Sequence, residues 1–170
     1  MQRLSIPLNL DEPGLKRLSA LQARFAQACQ ATYQVASRHS CFSRIALHHL
    51  AYKPVREAFA DLGAQLVSNA IYVVSAAAKS NPSPLKPESF GATLPVVLDR
   101  RTVSLTNGQI SIFTLEGRLR LNLKISAEVQ QLFEGGELKE IHLQRGAEGF
   151  SLVFFVKSNP SEPIYGQSEV

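Results

Sequence analysis

The sequence predicts an α+β fold: an OB-like antiparallel β-barrel that a helical lobe interrupts after the first strand. One strand-like segment opens the 170-residue chain, a block of helix-like segments follows, and six strand-like segments come after a Pro-rich stretch. Strands on both sides of the helices have to pair with one another if the sheet is to leave few open edges. This order favours a barrel with an insertion over a simple meander followed by helices.

The first strand is predicted at Arg3–Asn9, where Leu4, Ile6 and Leu8 alternate with smaller or polar residues. This period of two is typical of a strand that buries one face. Pro7 cannot donate to a sheet ladder, which favours an edge position.

Helical spacing begins after Asp11, and Pro13 fits the first turn of a helix. Apolar residues then recur every three to four positions as far as Val35. A second, shorter helix is predicted after Ser43, and Pro54 is typical of the first turn of a third. The strongest helical stripe follows at Leu66, Ala70, Val74 and Ala77, behind Gly63.

The period changes to that of strands after residues 80–93, which contain three prolines and a glycine. Asn107-Gly108 between two alternating segments is a strong hairpin signal. Ser126 is a suitable N-cap for one short helix, Ala127–Phe133. The six predicted strands are Val96–Leu98, Thr102–Thr106, Gln109–Phe113, Arg118–Ile125, Leu138–Gln144 and Phe150–Lys157.

We therefore expect four regions. Residues 1–9 and 94–157 form the barrel, residues 10–80 the helical insertion, 81–93 a Pro-rich linker and 158–170 a flexible tail. No apolar run is long enough for a bilayer, and the N-terminus has no cleavable leader pattern, so a soluble cytoplasmic protein without membrane contact is expected. The net charge is +4, and residues 1–93 carry ten Lys and Arg against five Asp and Glu. A basic excess of this kind is compatible with phosphate binding.

A metal site has to be weighed at His39, Cys41, His48 and His49, because Cys and His are zinc ligands. The segment lacks a CxxC pair, and adjacent histidines on a helix project about 100° apart. Packing of one histidine against the helices, with the other in solvent, is the better interpretation. We expect no metal and no cofactor.

Catalysis is not expected either. Asp61, Asp99, Glu116 and Glu128 occur singly at turns and helix starts, where carboxylates commonly serve as caps. Serine-nucleophile, dinucleotide-binding and phosphate-loop motifs do not occur in the chain.

Basic residues give the clearest functional signal. Arg100-Arg101 lies on a predicted turn, and Arg118 and Arg120 alternate with leucines, which places both arginines on one strand face. Arginines on an open face of an OB-like barrel commonly follow a phosphate backbone. A solvated face without a ligand is the alternative. The helical part adds further candidates for nucleic-acid binding, which are Arg38, Arg44, Tyr52, Lys53 and Arg56.

The order of these blocks resembles a known family. Residues 44–79, RIALHHLAYKPVREAFADLGAQLVSNAIYVVSAAAK, lead into VVLDRRTVSLT, SIFTLEGRLRLNLKI and GFSLVFFVK. This series is similar to the N-terminal half of TnpB-like transposon-encoded RNA-guided nucleases and of the related type V CRISPR effectors. The resemblance implies a barrel called the wedge, split by a helical recognition lobe. Residues after Lys157 contain no strand with a catalytic Asp. The resemblance therefore implies the guide-binding half of such a protein without a RuvC nuclease.

In that family the helix matching Gly63–Lys79 helps to read a short DNA motif, and the resemblance assigns such a role to Gln65, Ser68 and Asn69. It implies structured RNA as the partner, DNA as a second one, and a separate RuvC-type nuclease subunit as a third. A non-catalytic nucleic-acid-binding protein is the leading hypothesis. The alternative is a protein-interaction module that kept the fold and lost nucleic-acid binding.

Overall fold

A computed structural model describes residues 2–135 and 138–157, apart from the side chain of Gln2. The described part is an α+β fold with helices and two antiparallel sheets. Its helices are α1 (Glu12–Arg38), α2 (Arg44–Ala58), α3 (Gly63–Ser80) and α4 (Ala127–Glu134), with short 3-10 turns at Ala60–Leu62 and Pro87–Phe90. None of these helices is both long and apolar enough to cross a lipid bilayer. The predicted tail, 158–170, lies outside the described residues.

The strands follow the predicted positions closely. They are β1 (Gln2–Pro7), β2 (Val96–Leu98), β3 (Val103–Thr106), β4 (Gln109–Thr114), β5 (Gly117–Asn122), β6 (Leu138–Gly146) and β7 (Gly149–Val156).

The N-terminal strand pairs with the C-terminal part of the chain, as its alternation predicts. β1 lies antiparallel to β7, with Leu4 opposite Phe154 and Ile6 opposite Leu152. The resulting sheet has the order β1-β7-β6-β2, and a second sheet has the order β3-β4-β5. The described strands therefore form two antiparallel sheets that do not close into a barrel, and the predicted α+β class is confirmed. A tight turn between β2 and β3 joins the sheets at one side, while β1 and β5 remain unpaired to each other.

Local signals in the sequence explain where the first elements start and turn. The carboxylate of Asp11 accepts a hydrogen bond from the Gly14 amide at 2.8 Å and so caps α1. Asn107 and Gly108 both have positive φ angles, 50° and 76°, as a type I′ hairpin turn requires. The cap of α4 is Ser126, whose hydroxyl accepts from the Val129 amide.

One helix boundary differs from the prediction. Pro54 does not start a third helix, because α2 runs through it to Ala58. Proline removes one helical hydrogen bond. Leu47, Ala51 and Val55 form a fully buried stripe on the same helix, and their burial offsets that loss.

The core is continuous from the helices to both sheets. α1 packs against α2 and α3, and α3 lies against β2. Phe25 of α1, Leu66 of α3, Ile110 of β4 and Leu152 of β7 are all fully buried in one hydrophobic cluster. The Pro-rich segment also packs on α1, since the Tyr33 hydroxyl donates to the Leu85 carbonyl at 2.6 Å.

Candidate nucleic-acid interface

Two adjoining depressions lie where the helices meet the β2–β3 turn, each of about 400 Å³. Both are lined by Gln65 of α3 and Arg101 of the turn, so they form one continuous surface that we call the basic groove. The helical depression is lined by Arg44, Ile45, His48, His49, Gln65, Ser68, Ile71, Tyr72 and Arg101. The sheet depression is lined by Gln65, Leu98, Asp99, Arg100, Arg101, Leu138, Lys139, Glu140 and Ile141.

The β2–β3 turn places its two arginines in solvent. Asp99 accepts hydrogen bonds through Oδ1 from the amides of Arg101 at 2.8 Å and Thr102 at 3.2 Å. Such an Asx turn satisfies the backbone locally and uses the Asp carboxylate in doing so. Arg100 and Arg101 are both exposed as a result. The guanidinium of Arg100 lies 5.6 Å from the centre of the Phe133 ring.

A chain of hydrogen bonds orients Arg101 within the groove. Its Nη1 donates to Gln65 Oε1 at 2.9 Å, and Gln65 Nε2 donates to Asn69 Oδ1 at 3.2 Å. Asn69 in turn donates to the Val97 carbonyl at 2.9 Å. The amide of Asn69 is thus engaged in attaching α3 to β2, whereas Gln65 presents an arginine to the groove.

Arg118 extends the positive surface from the groove onto the outer face of the three-stranded sheet. Its Nη1 donates to the Arg101 carbonyl at 3.3 Å, and its Nε donates to Ser111 Oγ at 2.8 Å. Arg120 shares the strand face but lines a separate depression beside Asn9. Arg44, Arg101 and Arg118 therefore follow one another along the surface, and Arg120 stands apart.

A polar cluster closes the far side of the groove. The Tyr72 hydroxyl donates to one oxygen of Glu140, while the other lies 2.7 Å from His142 Nε2. A β-bulge between Leu138 and Glu140 shifts the register of β6 just before this carboxylate. The hydrogen bond and the negative charge of Glu140 raise the pKa of Tyr72. Arg44 lies 5.1 Å from the centre of the Tyr72 ring.

Sequence reasoning missed this cluster and the exposed Lys139 beside it. Glu140 and His142 are two residues apart on a strand, so their shared face could be read from the period. Their partner Tyr72 is 68 positions earlier in the chain, and no local signal joins them.

The four predicted residues that follow lie on α1 and α2, outside the groove. Arg38 is exposed in the last turn of α1, and Lys53 is exposed on α2. Arg56 donates to the Ala60 carbonyl at 3.0 Å, which holds the end of α2. Tyr52 stacks on His48 with ring centroids 4.8 Å apart, so it supports a groove residue without lining the groove.

The His and Cys residues considered for metal binding are separated. His48 and His49 have ring centroids 6.5 Å apart, and within residues 2–135 and 138–157 no three His, Cys, Asp or Glu side chains converge on a metal site. Cys29 is buried in the core, which raises the pKa of its thiol.

Comparison of the chain with protein-family models finds no match, and neither does comparison with curated proteins. The candidate interface therefore rests on its own geometry. Arg44, Arg100, Arg101 and Lys139 supply positive charge around one concave surface. Of its two acids, Asp99 caps a turn and Glu140 is bound by Tyr72 and His142.

Proposed function

We propose that the protein is a non-catalytic nucleic-acid-binding protein that holds the phosphate backbone of a structured RNA along Arg44, Arg101 and Arg118. The single observation that carries this proposal is their contiguity. Arg44 and Arg101 line the same depression, and Arg118 contacts the backbone of Arg101. A guanidinium presents several donors in a plane and matches the oxygens of a phosphate.

Pre-orientation supports binding by Arg101 in particular. Gln65 holds its guanidinium through Nη1, so less side-chain freedom is lost when a phosphate binds. The exposed edge of His49 and the stacked pair of His48 and Tyr52 offer aromatic surfaces beside the charges. Unpaired bases of a structured RNA stack on surfaces of this kind.

The sequence resemblance to the guide-binding half of TnpB-like nucleases supports RNA as the first partner and DNA as the second. We take the two sheets as an OB-like, partly open barrel equivalent to the wedge of that family. The turn at Asp99 that joins the sheets and their shared hydrophobic cluster support this assignment. The same proposal includes a separate RuvC-type nuclease subunit as a protein partner.

The absence of catalysis is part of the proposal and is supported by what the carboxylates do. Both carboxylate oxygens of Asp61 accept the single N–H of Arg24 Nε at 3.1 Å, as a bifurcated hydrogen bond. Asp99 caps the β2–β3 turn, and Glu140 is bound by Tyr72 and His142. Each of these acids thus has a structural partner.

One observation favours the second candidate function, a protein-interaction module. Ile45 on α2 is 75% exposed and lines the basic groove, and Leu50 on the same helix is 38% exposed. An exposed aliphatic side chain within a concave surface is a suitable anchor for a partner protein.

A titration of labelled RNA distinguishes the two functions. The probes are a fluorescent RNA hairpin with an unpaired loop and a DNA duplex of equal length, each measured at low salt. Replacing Arg44 and Arg101 together by Ala should weaken RNA binding at least about tenfold, because two charge-assisted contacts are lost. The matched control replaces the exposed Lys16 and Lys79, which removes the same charge away from the groove.

The control variant should bind RNA within about twofold of the parent, since only long-range attraction changes. Equal weakening in both variants would mean that net charge, not the groove, drives binding. Absence of RNA binding by the parent protein would refute the proposal and leave the protein-interaction function, whose first test is Ile45→Asp.

A further inference from the structure

The strand β5 forms one edge of the three-stranded sheet and pairs only with β4 among the described residues. The Leu123 amide donates to the Gly108 carbonyl at 2.9 Å. This hydrogen bond shows which alternate residues of β5 direct their backbone groups toward β4. In an antiparallel pair, alternate residues direct their amide and carbonyl groups to the partner strand. Residues 119 and 121 therefore face β4, while the backbone groups of Arg118, Arg120 and Asn122 face away from it.

The side chains of β5 divide between two environments. Leu119 and Leu121 are half-buried and line a depression of about 420 Å³, which Arg120, Asn9, Leu10 and Asp11 also line. Arg118 and Arg120 alternate with the two leucines along the strand and are exposed. An extended segment placed beside this edge would meet apolar side chains on one face and positive charge on the other.

The charge of the edge determines which occupant fits. β5 contains two arginines and no acidic residue, and Lys124 follows it. A second copy pairing through the same strand would bring like charges across the ladder, which is unfavourable. Among the described residues that line the depression, Asp11 alone has a carboxylate, and it already caps α1 through the Gly14 amide.

The edge strand β1 of the four-stranded sheet shows how an unused edge is closed. The Leu8 amide donates to the Phe150 carbonyl at 2.9 Å, so Arg3, Ser5 and Pro7 direct their backbones away from β7. Pro7 has no amide to offer and blunts that edge. β5 carries no proline between Gly117 and Asn122.

We propose that the β5 edge binds an extended segment of a partner protein in which acidic and apolar residues alternate, and that it does so by strand addition. The apolar side chains of the segment cover Leu119 and Leu121, and its acidic side chains face Arg118 and Arg120. Backbone hydrogen bonds supply affinity, and the two rows of side chains supply specificity. This edge adjoins the basic groove and shares Arg118 with the proposed RNA path, whereas Arg120, Leu119 and Leu121 belong to the edge alone.

The test uses the whole protein and two synthetic ten-residue peptides, blocked at both ends. One alternates glutamate and valine, and the other alternates lysine and valine. Amide hydrogen exchange is followed by NMR with and without saturating peptide. The glutamate peptide should slow exchange at Arg118, Arg120 and Asn122 by at least about tenfold and leave Leu119 and Leu121, already bonded to β4, little changed. The lysine peptide should change none of them.

A substitution gives an independent readout. Asn122→Pro removes one outward amide and should weaken binding of the glutamate peptide by about three- to tenfold, the value of one ladder hydrogen bond. Asn122→Ala is the matched control, because it loses the same contact to Gln109 and keeps the amide. The proposal would be overturned if exchange changed uniformly along β5, or if the lysine peptide or an RNA hairpin protected these amides instead. Equal affinity of the two variants for the glutamate peptide would also overturn it.

Discussion

The strands β7 and β5 each place apolar residues at alternate positions, but β7 is largely buried and β5 is not. β7 lies between β1 and β6, and Phe150, Leu152 and Phe154 are buried along it. β5 has one neighbour among the described strands, and none of its residues is buried. Apolar residues on both faces and two neighbouring strands make β7 part of the core, whereas arginines on one face and a single described neighbour leave β5 at the surface.

The largest expected effect separates the two strands directly. Leu152→Ala should lower the free energy of unfolding by about 3 kcal/mol, because it leaves a cavity among fully buried side chains. Leu121→Ala, on the half-buried face of β5, should cost less than about 1 kcal/mol. Urea denaturation of both variants measures the difference. Equal losses would show that β5 is as enclosed as β7.

The second effect concerns how α1 holds the turn between β4 and β5. Arg17 of α1 donates through Nη2 to Thr114 Oγ1 at 2.9 Å and to the Gly117 carbonyl at 3.1 Å. Arg17→Ala should destabilise the protein by about 1–2 kcal/mol, because these charge-assisted bonds anchor the turn. Exchange of the β5 amides should accelerate as well. Lys16→Ala, a change at an exposed neighbour, should alter neither stability nor exchange. If it alters them as much as Arg17→Ala does, the hydrogen bonds of Arg17 do not anchor the turn.

A third, smaller effect lies at the turn that starts β4. Gly108 has a φ of 76°, a conformation that costs a side-chain-bearing residue about 1 kcal/mol, so Gly108→Ala should lower stability by that amount. Gly146, in the β6–β7 hairpin, does not have a positive φ, and a Cβ there meets only the Gly149 carbonyl at 4.0 Å. Gly146→Ala should be nearly neutral in thermal unfolding. Reversed effects would contradict the assigned turn geometry.

The smallest effect is a pH dependence where α3 meets the four-stranded sheet. Glu140 raises the pKa of Tyr72 above its ordinary value of 10.0, so the bond to Glu140 stabilises the fold below that pH. This contribution is lost as pH rises through the elevated pKa. Unfolding measured at pH 8 and above pH 10 should therefore show a steeper loss for the parent than for Tyr72→Phe. Parallel curves would mean that the hydrogen bond contributes nothing measurable.

The sequence was sufficient for features set by local chemistry. The caps at Asp11 and Ser126, the Asn107-Gly108 turn and the pairing of β1 with the C-terminal strands all follow from residue type and period. Continuation of α2 through Pro54 is also indicated by Leu47, Ala51 and Val55, which recur every four residues, but the prediction followed the preference of proline for a helix start.

Long-range contacts explain why only part of the site could be predicted. Arg44 and Arg101 were identifiable as exposed basic residues, but their meeting in one groove depends on the packing of α2 and α3 beside the β2–β3 turn. The contact of Tyr72 with Glu140 and the division of strands into two sheets likewise arise only in the folded chain.

The salt dependence of RNA binding tests the central claim most directly. The logarithm of the binding constant for an RNA hairpin is measured against the logarithm of salt concentration for the parent and for two double variants. Replacing Arg44 and Arg101 by Ala should reduce the slope by about 1.4 to 1.8 units. Each phosphate contact that is lost means that fewer counterions are released when the RNA binds.

Replacing Arg118 and Arg120 should reduce that slope by about one unit, because Arg118 adjoins the groove and Arg120 does not. Unchanged slopes in both double variants, with RNA still bound, would contradict the account, because the phosphate contacts would then lie elsewhere on the protein.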